Sequence, residues 1–241
     1  MVALVAERGL YVFRRKKLQH PIFTSFLRDL ATHEKDVEQT DIQRFHVECW
    51  ATCKSIYLAV KKLKIAELCI EVSYQKCPKE YEIAEYIEFH IENYLIRCFS
   101  IYDRVLQFVN CLCDIQMSKE FVGHISITTN RKVEVSGLKN KLKKVKSACE
   151  AFRLQRNSVV HHDKYRDEIL EWVDTALKAK YILDGDFERI GISDENIADK
   201  IAVVVTKKLK EFRLNSENID KSINNFMNDA KKIYDRKSLT T

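Results

Sequence analysis

The stretch QRNSVVHHDKY, residues 155–165, sets one guanidinium a few positions ahead of two imidazoles. Arg156 stays charged at any relevant pH and offers a fork of donors matched to phosphate oxygens. His161 belongs to the residue type that titrates near neutrality and can take or give a proton. Those two groups are sufficient for cutting RNA without a metal. Histidine deprotonates a ribose 2′-OH, the oxygen attacks the adjacent phosphorus, and arginine stabilises the crowded phosphorane. The products are a 2′,3′-cyclic phosphate and a 5′-hydroxyl, and DNA, lacking the 2′-OH, is spared.

The elements that must position this pair are helical. Leu138, Leu142, Val145, Cys149 and Phe152 lie on one stripe at 100° per residue, and Arg156 falls within it. Arginine is seldom buried without a partner, so the face either lines a cleft or holds a salt bridge, for which Asp103 is the candidate acid. Beyond the motif Ile169, Leu170, Val173, Ala176 and Leu177 point about 100° away from that stripe. A break between about Asn157 and Arg166 follows. On a straight helix Arg156 and His161 diverge by about 140° and stand roughly 7.5 Å apart along the axis. Either the break swings His161 round, or two chains complete each other's motif.

Elsewhere, Phe45, Cys49, Cys53, Tyr57, Val60 and Leu63 recur at helical spacing from Asp41 on, until Cys77-Pro78 interrupts. A long helix from about Tyr81 to Met117 carries Ile83, Ile87, Ile91, Tyr94, Cys98, Ile101, Val105, Val109 and Leu112 in one phase, with Leu95, Tyr102, Leu106 and Cys113 widening the face. The run ISITTNRKVEVS alternates with period two, as a small β-hairpin inserted between helices or a loop would. ALVAERGLYVF near the start reads as a short hairpin or an irregular lead-in, and two amphipathic helices, Ile197–Phe212 and Ser216–Tyr234, close the chain. The fold class is all-α. The expected division is an N-terminal helical extension over 1–78, a bundle over 79–185 and a C-terminal helical extension over 186–241.

At 241 residues, 46% apolar and 32% charged, the chain can bury a substantial core. No apolar run approaches membrane-span length and the N-terminus is too charged for a signal peptide. A cytoplasmic protein with eight reduced cysteines is expected. His46, Cys49 and Cys53 share a helix face, but zinc needs a fourth ligand that no second motif supplies, and Cys111 and Cys113 point to different faces. No P-loop, GxGxxG, GxSxG or HExxH occurs, so neither metal nor cofactor is expected. The net charge of +6 is concentrated in residues 131–146, with seven basic residues against one acid. Lys139, Lys143, Lys146 and Arg153 form a stripe able to track an RNA backbone, or else a solvated face.

The spacing in RNSVVH, arginine, a polar residue, three more positions and histidine, resembles the signature of the HEPN superfamily (higher eukaryotes and prokaryotes nucleotide-binding). YLIRCFSIYDRVLQFVN resembles the long second helix of its bacterial members, and the likeness covers roughly residues 81–183. It implies an antiparallel helical bundle and a metal-independent endoribonuclease of toxin, phage-defence or stress-response systems. Arg156 and His161 take the catalytic places, Asn157 the supporting polar position, and His162 is the alternate histidine if the longer spacing applies. Asp103 becomes an orienter of the guanidinium. A homodimer with facing motifs, an RNA substrate and an antitoxin or other partner protein are also implied. One subgroup carries a tyrosine two residues after the histidine, where this chain has Asp163. The competing readings are a non-catalytic module of the same fold that binds RNA or protein, and a helical adaptor whose basic stripe meets an acidic protein.

Overall fold

A computed structural model describes residues 20–32, 40–78, 82–162, 165–182 and 191–239. The hairpin expected around Arg8-Gly9 lies outside them. Among the described residues the regular elements are helices: α1 (Ile22–Leu30), α2 (Asp41–Glu71), α3 (Ser73–Lys76), α4 (Ile83–Leu112), a 3₁₀ turn (Lys119–Phe121), α5 (His124–Thr128), α6 (Arg131–Ser136), α7 (Lys139–Cys149), α8 (Arg153–His162), α9 (Glu168–Ile182) and α10 (Asp194–Leu239).

Helix α4 is central. Both of its expected stripes are buried from Ile87 to Cys113, which leaves room for α2, α7, α8, α9 and α10 around it. It stops at Leu112, short of Met117. Asp114 and Gln116 take positive φ, and the Asn110 amide closes the exit by donating to the Met117 carbonyl at 2.8 Å and accepting its N–H at 3.1 Å. Helix α2 opens on a capping box, Thr40 with Gln43. It contributes Cys49, Cys53, Ile56, Leu63 and Ile70 to the same core.

Two expectations are corrected. The period-two run is not a hairpin: it folds as α5 and α6. Its alternation misleads because the core takes only Ile127 and Val133, while Ile125 and Val135 stand in solvent. Asn130 accepts the Lys132 N–H at the start of α6, and Gly137 ends it at φ 74°, where only glycine avoids a Cβ penalty. The two C-terminal helices are one, α10, of 46 residues or about 69 Å. The stretch 213–215 between the two expected helices is a contact zone. Arg213 pairs with Glu71 at 2.8 Å, and buried Asn215 donates to Tyr94 Oη at 3.4 Å and to Cys98 Sγ at 3.3 Å.

Around that point lies a polar knot within the core. Tyr94 stacks flat on Phe212 with ring centroids 3.8 Å apart. Its hydroxyl donates to the Phe212 carbonyl at 2.8 Å and meets Ser216 Oγ at 3.0 Å, and Ser216 donates to Glu67. Burial raises the Glu67 pKa, against the pull of Ser216, Lys64 and Arg213. Such a knot fixes the register of α10 on α2 and α4, because each member has a partner only in this alignment.

Candidate functional site

Leu138, Leu142, Val145 and Cys149 are buried as their spacing predicts, but the helix turns at Glu150–Phe152 between α7 and α8. That turn was not expected. The expected one is present: α8 ends at His162, and Tyr165–Asp167 are non-helical before α9 begins. Asp167 starts α9, its carboxylate accepting the Ile169 N–H at 3.1 Å. Aspartate at that position was the local signal for the restart.

The position of the break decides the geometry of the motif. Arg156 and His161 both lie inside α8, so the break falls too late to swing His161 toward the guanidinium. Of the two arrangements open from sequence, the continuous helix lends the intramolecular one no support. His161 is exposed, and His162 is the last residue of α8.

Arg156 is half-buried. One terminal nitrogen donates to Asn157 Oδ1 at 3.2 Å, and the guanidinium carbon lies 5.1 Å from the Phe99 ring centroid. Nε is buried without a hydrogen-bond partner. Among the described residues no carboxylate comes within ion-pairing distance of Arg156, so the salt bridge to Asp103 is not formed. Asp103 nevertheless senses the charge. Burial raises its pKa, with Arg104 and then Arg156 pulling it back. Asp103 is exposed at the residue level, so this burial reflects protein crowding one side of the carboxyl.

Phe99, Glu92 and Tyr165 escaped sequence reasoning. Glu92 of α4 accepts the Tyr165 N–H at 2.7 Å. The Tyr165 ring is buried, with the Lys208 ammonium 5.6 Å from its centroid. These contacts moor the chain just beyond the motif to α4 and α10. Phe99 had a signal, since it lies four residues before Asp103 and so on the same face of α4.

The basic stripe is unevenly committed. Lys139 pairs with Glu134 at 3.1 Å and Lys146 with Glu150 at 3.9 Å. Lys143 and Arg153 are exposed, with no carboxylate in ion-pairing distance among the described residues. Next to this face, His124 of α5 meets the hydroxyl of buried Tyr102 through Nδ1 at 2.5 Å. The rejected zinc face is engaged in packing: His46 with Tyr234 at 2.6 Å, Cys49 with Cys111 at 3.3 Å and Cys53 with Met227 at 3.9 Å. Among the described residues no group of three or more His, Cys, Asp or Glu is placed to hold a metal. No helix among them is long and apolar enough to cross a membrane.

Exposed apolar residues flank the motif on its two helices, Phe89 and Ile96 on α4 and Leu154 and Val160 on α8. Phe89, Ile96 and Asp103 are spaced by seven and so share one stripe.

Neither a curated protein nor a solved structure matches the chain. A family model does: the one described as HEPN_Cthe2314-like HEPN aligns with residues 51–235, well over half of the sequence and the whole of α4 to α9. The arginine-to-histidine spacing, the all-helical bundle and this match agree, and the chain belongs to the HEPN superfamily.

Proposed function

We propose that this protein is a metal-independent endoribonuclease whose active site is completed across a pair of chains. The observation that carries the reading is the state of Arg156: half-buried, held by Asn157 and Phe99, with an orphan Nε and no carboxylate in ion-pairing range among the described residues. A guanidinium positioned but not neutralised is suited to an external anion, and phosphate is the anion its fork fits. His161, turned away on the same helix, supplies the proton transfer for the partner's arginine. The apolar residues Phe89, Ile96, Leu154 and Val160 around the motif are what a pairing face needs. Asn157 orients the guanidinium through its Oδ1, Asp103 tunes it electrostatically, and Lys143 and Arg153 are the cations most available to the RNA backbone.

In the reaction His161 takes the 2′-OH proton, the 2′-oxygen attacks phosphorus, Arg156 stabilises the phosphorane, and the 5′-oxygen leaves as a hydroxyl with a proton taken from water. A toxin or phage-defence role, in which a partner protein silences the enzyme, is the biological setting we propose, and family membership is its only support. RNA binding without cleavage is the alternative, favoured by the separation of Arg156 and His161 within one chain.

The test incubates labelled RNA with the full chain in EDTA, beside Arg156→Ala and His161→Ala. Cutting to 2′,3′-cyclic phosphate ends, lost in both variants, is the expected result. Salt-sensitive binding without cutting would favour the alternative, and cutting retained in both variants would overturn the assignment.

A further inference from the structure

Tyr102 and Asp103 are consecutive on α4 and serve different neighbours. Asp103 carries the field of Arg156. Tyr102, buried, holds His124 Nδ1 at 2.5 Å. When the tyrosine hydroxyl donates to Nδ1, the ring proton sits on Nε2, and that N–H is the donor left for a ligand. His124 Nε2 has no hydrogen-bond partner among the described residues. An oriented histidine with one nitrogen spent and the other free is the arrangement expected of a ligand-binding imidazole.

Its charged neighbours come from α7. Lys143 and Lys146 are three residues apart and share one side of that helix. Burial first, then Lys146, holds the His124 ring below the usual histidine range; Glu150 opposes them and Lys143 adds to the lowering. Lys146 divides its charge with Glu150 at 3.9 Å, whereas Lys143 has no carboxylate within ion-pairing distance among the described residues. The local balance around the half-buried ring therefore stays positive.

We propose that His124, Lys143 and Lys146 form a phosphate-binding subsite for the backbone of single-stranded RNA, with Tyr102 as the residue that positions the imidazole. The choice of RNA as the source of that phosphate rests on the function proposed above. Tyr102 and Asp103 are consecutive on α4 and point about 100° apart, so the subsite belongs to the helix face next to the one that carries Asp103. The groups facing the ring are Tyr102 from α4 and Lys143, Lys146 and Glu150 from α7. A bound phosphodiester adds negative charge beside the ring, so binding takes up a proton and tightens as the pH falls.

The experiment uses the full chain and a short 2′-O-methyl RNA oligonucleotide, which binds but has no 2′-OH to attack, with affinity read by fluorescence anisotropy over salt and pH. Lys143→Ala is expected to weaken binding and to flatten the slope of log Kd against log salt by about 0.7, the value for one lost contact to a single strand. His124→Gln keeps a donor but loses the tightening as the pH falls. The His124 ring pKa, followed by NMR, rises on adding the oligonucleotide, and rises less in Tyr102→Phe. An unchanged slope in Lys143→Ala, or a ring pKa that ignores saturating oligonucleotide, overturns the subsite. Polyglutamate producing the same ring shift and displacing the oligonucleotide equally well overturns it in favour of an acidic protein partner. None of these readouts depends on cleavage. Failure of the Arg156 and His161 assay removes the nuclease reading alone, and failure here with cleavage intact removes the subsite alone.

Discussion

Arg156 and His161 stand on one uninterrupted helix, five residues apart, so their side chains diverge by about 140°. If each pairs with its counterpart on a second chain, inactive variants should rescue one another. Mixing Arg156→Ala with His161→Ala, with subunit exchange, creates mixed pairs holding one intact site. Activity should recover to about a quarter of wild type, since half of the pairs are mixed and each has one of two sites. Chemistry within a single chain would show no recovery.

The contact between Glu92 and Tyr165 predicts a local effect. Glu92→Ala removes the acceptor of a charge-assisted hydrogen bond to the Tyr165 N–H, of a type worth about 1.5–3 kcal/mol. Hydrogen exchange at the Tyr165 amide should quicken, and cleavage should slow, with far-UV circular dichroism unchanged. Unaltered exchange at Tyr165 would show that the anchor is not in use.

His90 predicts a pH dependence of stability. Its ring is buried and both nitrogens lack partners, and burial lowers its pKa below 6.5. The unfolded chain therefore binds a proton at higher pH than the folded one. Stability from this site is fully present above about pH 6.5 and is lost as pH falls through the folded pKa, by at most about 1.4 kcal/mol per pH unit. Urea unfolding from about pH 8 to about pH 5 should show the decline, and His90→Leu should flatten it.

The knot at Tyr94 predicts a stability cost without loss of fold. Tyr94→Phe keeps the stacking on Phe212 but leaves the Phe212 carbonyl and the Asn215 amide each short of a partner. A loss of about 1–3 kcal/mol is expected, seen as a lower urea midpoint with an unchanged m value.

Much of this architecture was legible in the sequence because the core repeats one rule many times. The stripes of α4 and α7 lie where the period put them, whereas on α2 Phe45, Tyr57 and Val60 are only half-buried and Ile56 and Ala59 take the core. Reading failed where a few side chains outweigh the period. Ile127 and Val133 are two buried residues in a run of alternating ones, too few to separate helix from strand. The expected division of α10 at 213–215 misses the contacts of Arg213 and Asn215, because their partners, Glu71, Tyr94 and Cys98, are distant in sequence. At the site, the arginine and its polar neighbour could be found by spacing. Phe99 beneath the guanidinium, the mooring of Tyr165 by Glu92, and the pairing of Tyr102 with His124 are contacts between helices, and spacing along one helix cannot reveal them.

The orphan nitrogen of Arg156 sets durability against activity. A partly sunken cation with an unsatisfied N–H weakens the free protein, by about 1–3 kcal/mol for the lost hydrogen bond. Arg156→Met, which retains the long stem against Phe99 without the charge, should yield a chain that melts at a higher temperature than its parent and cuts nothing. A bound phosphate finds a guanidinium to pair with only in the wild-type chain, so RNA should raise its melting temperature more than it raises that of the methionine variant.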